Sequence, residues 1–298
     1  MPFILVLGVF VRILAFFNIA IINPDGILYI AQAKAIASGQ WDVLTSFGLP
    51  YVSLYPFLIA FFHLFVPDWI VSGQLVSLTF GCGLLLLLYP LVRRFSSPLI
   101  SRLTVLLFAL TPMLVRYSVD VMRDSTYWFL YCASVVVLLA SERYCNKKLP
   151  LFLGLIAAFA LALLASWCRI EALLLLPAFF LYCLSLLKKE RVRRASLLFV
   201  LLALLIGMGI VAVLPHHGDF FALVRLQEAA EKFYAPMKSY ALLRSQLHTL
   251  ASSYGFSLIG NFLYEAHHIA WSMPFAVILA NACESFFYPF LPFYVLGF

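Results

Sequence analysis

The amino-acid sequence predicts an all-α protein, a polytopic transmembrane helical bundle with juxtamembrane helices on its outer face. Three observations carry this. First, of 298 residues 64% are apolar and only 11% are charged, and mean hydropathy is +1.02. A soluble domain is about half apolar and about a quarter charged. Second, the apolar residues fall in unbroken runs of span length, not in the alternating strands of about ten residues that build a membrane barrel. Third, basic residues gather in three short segments between those runs: Arg93, Arg94 and Arg102; Arg143, Lys147 and Lys148; and Lys188, Lys189, Arg191, Arg193 and Arg194. This is the positive-inside pattern, so those loops are expected in the cytoplasm. The net charge of +7 is then a topology signal and implies no nucleic-acid partner. Six Cys in a chain this long exclude a disulfide-built secreted module.

The elements follow in chain order. Residues Pro2 to Ile22 make a first span with Arg12 near its middle. An arginine at that depth is expensive and is expected to be held inside the bundle. A polar, aromatic stretch runs from Asn23 to Ser53, and Leu54 to Val66 is apolar but too short to cross, so it suits a re-entrant or interfacial helix. Trp69 to Val92 runs inward to the first basic cluster, Leu99 to Val115 returns, and Arg116 to Ser125 forms an outside loop. Thr126 to Ala140, Leu149 to Trp167, Ala172 to Leu187 and Ala195 to Leu214 complete a total of about seven spans, with the N-terminus inside. Residues 1–214 are thus a transmembrane core with an outer loop at 23–68. Residues 215–298 hold an outer amphipathic segment up to Ser253 and then further apolar helices. The chain stops inside an apolar, aromatic run and is expected to be the front part of a longer protein.

Three groups of charges remain at the outer face. In Asn23-Pro24-Asp25-Gly26-Ile27-Leu28-Tyr29, the residues Asp25, Tyr29, Ala33 and Ala37 recur at helical spacing. Asn23 can cap this helix, Pro24 suits its first turn, Asp25 favours its dipole and Gly39 ends it. Asp25 is also a carboxylate held just outside a span, where it can act as a general base. In the second group, Arg116, Asp120 and Arg123 are expected on one helical face with Asp124 adjacent. These are either an ion-pair set, with Asp124 capping the next helix, or a site. In the third, Arg169 and Glu171 share a turn with almost no loop, and either pair with each other or serve a ligand.

Other features are weaker. His216-His217 and His267-His268 lack zinc-site spacing. The cysteines read as packing residues or plain thiols. Tyr51, Tyr55 and Trp69 read as interfacial belt or core before ligand platforms.

A first span with Arg12, then P-D-G-x-x-Y, then Ala33, Ile36, Gly39 and Trp41, then a short L-Y-P-x-L-I-A-x-F helix at Leu54 to Phe62, then a long span ending in Arg-Arg: this order resembles the front half of the C-type integral-membrane glycosyltransferases. That family includes the protein O-mannosyltransferases and the bacterial lipid A aminoarabinose transferases. The resemblance covers most of residues 1–187. It implies a sugar transferred from a polyprenyl-phosphate donor to a lipid, glycan or protein acceptor, at the outer face of the plasma (inner) membrane, facing the periplasm or outside. It places the catalytic acid at Asp25, where many members carry two acids and this chain has Asp25-Gly26. The second outer loop of such enzymes often has an arginine and an acid, matched by Arg123 with Asp124 or Arg116 with Asp120. Arg169-x-Glu171 is similar to their T-R-P-E turn, with Cys168 and Ile170 replacing Thr and Pro.

On this reading Arg123, Arg169 and Lys34 hold the leaving phosphate, Tyr29 orients the sugar or the acid, and a single displacement inverts the anomeric centre. The sequence makes no cofactor certain. A divalent cation held by Asp25 with Asp120 or Asp124 stays open. The alternative is a transporter or flippase for a lipid-linked substrate, and a third reading is a non-catalytic subunit of an envelope assembly.

Overall fold

The computed structural model describes residues 1–19, 23–44, 46–47, 51–142, 148–186, 226–272 and 275–276. Among them every regular element is helical: α1 Pro2–Asn18, α2 Pro24–Ala37, α3 Leu54–His63, α4 Trp69–Arg93, α5 Pro98–Leu110, α6 Pro112–Tyr117, α7 Asp124–Ser141, α8 Lys148–Cys168, α9 Leu175–Leu186, α10 Leu226–Tyr254 and α11 Leu258–Ile269, with short 3-10 turns at Trp41–Val43, Ile170–Leu174 and Ala270–Ser272. The chain forms two compact units, Met1–Ala229 and Ala230–Phe298. The boundary expected at residue 214, the span at 195–214 and the third basic cluster lie outside the described residues, as does most of the second cluster.

Among the described residues three helices are long and apolar enough to cross a membrane: Trp69–Arg93, Asp124–Ser141 and Pro150–Cys168. Pro2–Asn18, Pro98–Leu110, Ile170–Tyr182 and α3 are apolar but shorter. Large apolar side chains stand exposed along them, among them Phe3, Phe10 and Phe17 on α1 and Leu99, Leu103 and Leu107 on α5. Exposed apolar stripes of this kind suit lipid.

Leu99 to Val115 is not one continuous helix. Thr111 leaves the helix (φ −63°, ψ 117°), and α6 starts afresh at Pro112. A residue before proline is pushed out of the α region, and proline has no N–H to continue the ladder. The carbonyls at the end of α5 therefore need other donors. Arg12, fully buried on α1, supplies one. Its Nη1 donates to the carbonyls of Ala109 (3.0 Å) and Gly8 (3.1 Å), and its Nε donates to Ser118 Oγ (3.1 Å). The arginine expected inside the bundle is held there by neutral oxygens, and it ties α1 to the α5–α6 break.

In the first unit α7 packs along both α4 and α8, and α1 lies against α4 and α5. Leu138, Leu151, Leu155, Ala158, Ala162, Leu175 and Phe179 fill the α7–α8–α9 core. A bridge of 2.7 Å between Arg94 and Glu142 joins the C-terminal ends of α4 and α7. Arg169, just after α8, pairs with Asp124, the first residue of α7. So α4 and α7 run parallel, α8 runs against them, and the bundle has a basic end and an opposite end.

At that opposite end α2 and α3 pack on the start of α4 around Tyr29, Ala33, Tyr55, Ile59, Val76 and Val121. The Tyr55 hydroxyl donates to Gly73 O (2.8 Å) and shares a hydrogen bond with Ser77 Oγ (2.7 Å). Ser77 Oγ also lies 3.1 Å from Met122 O, so two hydroxyl protons are shared among these oxygens. Val121 is wedged between two glycines. A Cβ on Gly26 would meet Val121 O at 2.8 Å, and one on Gly73 would meet Val121 Cγ1 at 2.8 Å. Gly26→Ala is therefore expected to cost about 1–3 kcal/mol by overpacking, read as a lowered unfolding midpoint in detergent. An unchanged midpoint would mean that α2 and the 118–123 turn do not pack this closely.

Candidate functional site

Five pieces of chain meet at the end away from the Arg94–Glu142 bridge: the start of α2, the 51–53 segment, the 118–123 turn, the start of α7 and the turn after α8. The α2 cap forms as the sequence predicts. Asn23 accepts the amide of Asp25 (2.9 Å), and the chain leaves the helix through Gly39 at φ 72°. Asp25 is exposed on the first turn, while Tyr29 and Ala33 are buried on the same face. Gln32, fully buried on α2, donates from Nε2 to both Leu44 O and Tyr51 O, each at 3.0 Å. Trp167 of α8 donates to Val52 O (3.0 Å). These bonds fix Tyr51 beside α2.

The helical face expected for Arg116, Asp120 and Arg123 does not form, because the chain leaves the helix at Ser118. Arg116 is exposed on α6. Asp120 is buried, and its Oδ1 accepts the amides of Asn23 (3.3 Å) and Val121 (2.8 Å). That carboxylate clamps the start of α2 to the turn. Nor does Asp124 cap α7 with its side chain. It stands in the first turn, where a negative charge suits the dipole, and bonds Arg169. Arg169 also reaches Glu171 (3.5 Å) and lies over the Tyr127 ring at 5.6 Å. Burial opposes its charge, but Asp124 and Glu171 outweigh burial and raise its pKa.

Arg123 has a different setting. Its guanidinium lies over Tyr51 at 5.4 Å and Tyr29 at 5.9 Å, close enough to Arg169 to repel it. Its Nη1 is buried without an acceptor among the described residues. An arginine between two rings, with an open donor and a second arginine nearby, is a ready anion site. Burial raises the pKa of Tyr29; Arg123 works against this, whereas Tyr51, Asp25 and Asp124 add to it. Tyr29 thus keeps its proton at neutral pH. Asp25 lies one helical turn before Tyr29 on α2, and Asp124 follows Arg123, whose guanidinium lies over the Tyr29 ring.

The structure therefore gathers Asp25, Tyr29, Arg123, Asp124, Arg169 and Glu171. It leaves Arg116 on the surface, gives Asp120 to backbone amides and turns Lys34 to the far side of α2, about half a turn from Asp25. Tyr51 and Tyr127 join the site. Their positions follow no periodicity that links them to Arg123 or Arg169, so only the packing reveals them. Gly26 explains the lack of a second acid after Asp25, since Val121 O occupies the room for any side chain. Among the described residues, no three His, Cys, Asp or Glu side chains are placed to hold a metal ion. Comparison with known protein families, with curated proteins and with solved structures finds no match.

Proposed function

We propose that this chain is a membrane glycosyltransferase. It moves a sugar from a polyprenyl-phosphate donor to a lipid, glycan or protein acceptor at the outer face of the plasma membrane. The observation that supports this most is Arg123, with a buried, unaccepted Nη1 beside Arg169 and between two tyrosine rings. A phosphate answers that arrangement, because it supplies the missing acceptor and the missing negative charge. The three long apolar helices below the site give a polyprenyl tail a place to run.

In the reaction, Asp25 takes the proton of an acceptor hydroxyl or amine. The freed lone pair attacks the anomeric carbon and forms the new glycosidic bond. The bond from that carbon to the phosphate oxygen breaks, and its electron pair leaves with polyprenyl phosphate. Arg123 and Arg169 stabilise the charge that grows on the leaving oxygen. Tyr29, kept protonated, donates to the sugar or the phosphate, and Asp124 and Glu171 hold Arg169 in place. One displacement inverts the anomeric centre. A transporter or flippase for a lipid-linked substrate is the rival reading. It concentrates polar groups near the midplane, whereas these charges gather at one end of the bundle.

The test is donor binding and turnover together. The protein in detergent is mixed with polyprenyl phosphate, and its unfolding midpoint and its transfer from radiolabelled polyprenyl-phosphate sugars are measured. Arg123→Gln is expected to weaken the stabilising effect of polyprenyl phosphate by about tenfold in concentration, as loss of a charge-assisted bond implies. Equal stabilisation of both forms would remove Arg123 from donor binding. Binding without transfer from any sugar, together with translocation of the lipid in vesicles, would favour the flippase.

A further inference from the structure

On the far side of α2 from Asp25 lies a second feature, a groove of about 380 Å³ between α2 and the start of α4. Its walls are Ile27 and Ile30 of α2 with Asp68, Trp69 and Ile70, and Lys34 stands at its edge. The Lys34 ammonium lies over the Trp69 indole at 6.0 Å, and His63 stacks on that indole at 3.5 Å. Asp68 lines the same groove as a carboxylate, but it is turned to the start of α4. Its Oδ1 accepts the amides of Ile70 (2.8 Å) and Val71 (2.9 Å), and among the described residues Lys34 has no ion-pair partner. The groove therefore carries an ammonium without a salt bridge beside apolar walls, while the Asp68 carboxylate is engaged by the N-terminus of α4.

The surroundings decide what such a groove suits. Phe61 of α3 and Leu64 and Phe65 just beyond it stand exposed, as do Ile27 and Ile70. The long apolar helix α4 begins at Trp69, so the groove sits where a span meets the membrane interface. We propose that it holds one anionic phospholipid, with the headgroup phosphate on Lys34 and an acyl chain along Ile27, Ile30 and Ile70. Zwitterionic lipids satisfy the walls but gain less from the lysine, and a free phosphate ion leaves the walls unused. The site is separate from the Arg123 site, and it rests on the membrane character of the helices and not on sugar transfer.

The experiment uses the full chain in phosphatidylcholine vesicles carrying either brominated phosphatidylcholine or brominated phosphatidylglycerol. The chain has five Trp, so the Trp69 signal is taken as the difference between the unchanged protein and Trp69→Phe. Brominated phosphatidylglycerol is expected to quench that signal at about fivefold lower mole fraction than brominated phosphatidylcholine. Lys34→Gln is expected to erase the difference and Lys34→Arg to keep it, which separates lost charge from lost fold. Equal quenching by the two lipids in the unchanged chain would overturn the proposal, as would a preference that persists in Lys34→Gln. Loss of the preference on adding inorganic phosphate at constant ionic strength would assign the groove to a soluble anion instead.

Discussion

Asp25→Asn is expected to lower sugar transfer by about 10²- to 10⁴-fold, the usual contribution of a positioned general base. The fold should survive. Asp25 is exposed, and Asn23 still accepts the amide at that position, which every residue but proline supplies. The loss of one first-turn charge costs about 0.3–1 kcal/mol through the helix dipole. The measurement is transfer from a radiolabelled polyprenyl-phosphate sugar to membrane acceptors, at matched expression and with the unfolding midpoint of both forms recorded. Stabilisation by polyprenyl phosphate should be kept, because Asp25 is assigned to the acceptor and Arg123 to the donor. Transfer that continues at the original rate would exclude Asp25 as the base. Transfer lost together with donor binding would mean that the variant disturbs the whole site.

Arg169→Gln is expected to damage both stability and transfer, and a second substitution separates the two effects. Asp124 is 10% exposed at its side chain and Arg169 33%. Removing the arginine strands a nearly buried carboxylate. Full enclosure puts that cost at about 3–5 kcal/mol; the exposure of Arg169 and the α7 dipole reduce it to about 2 kcal/mol. Adding Asp124→Asn removes the stranded charge, so the double variant should regain most of the lost unfolding midpoint. It should not regain transfer, because the second cation on the leaving phosphate is still gone. Recovery of transfer in the double variant would make Arg169 a purely structural partner of Asp124. No recovery of stability would mean that the pair is not the principal tie between α7 and α8 at this end.

Much of the architecture was legible because it is local. A run of apolar residues must be shielded or placed in lipid, and in lipid a helix satisfies its own backbone. Trp69–Arg93, Asp124–Ser141 and the α8 helix follow from that alone. The start of α2 was equally plain, since Asn23, Pro24 and Asp25 each suit a helix N-terminus for their own reasons. The break at Thr111 was available in the same local terms, from Pro112, but the surrounding apolar run concealed it. Asp25 and Tyr29 on one face of α2 needed only 3.6 residues per turn.

The partners of the charges were decided by packing. Residues 118–123 had the spacing of a helix and did not form one. Val121 had to fit between Gly26 and Gly73, and the Asp120 carboxylate had to satisfy the amides of Asn23 and Val121. Arg123 meets Tyr51 only because Gln32 and Trp167 fix the segment that carries it. Arg169 meets Asp124 only because α8 runs back along α7 for its full length. By charge alone Lys34 belongs with Arg123 and Arg169, yet the rotation of α2 turns it into a different groove. Sequence by itself determined which segments are apolar helices and which residues share a turn, because both depend on neighbours in the chain. Which cation keeps an open donor and which is neutralised was decided only by the tertiary structure, because electrostatic pairing depends on distance in space and not on spacing along the chain.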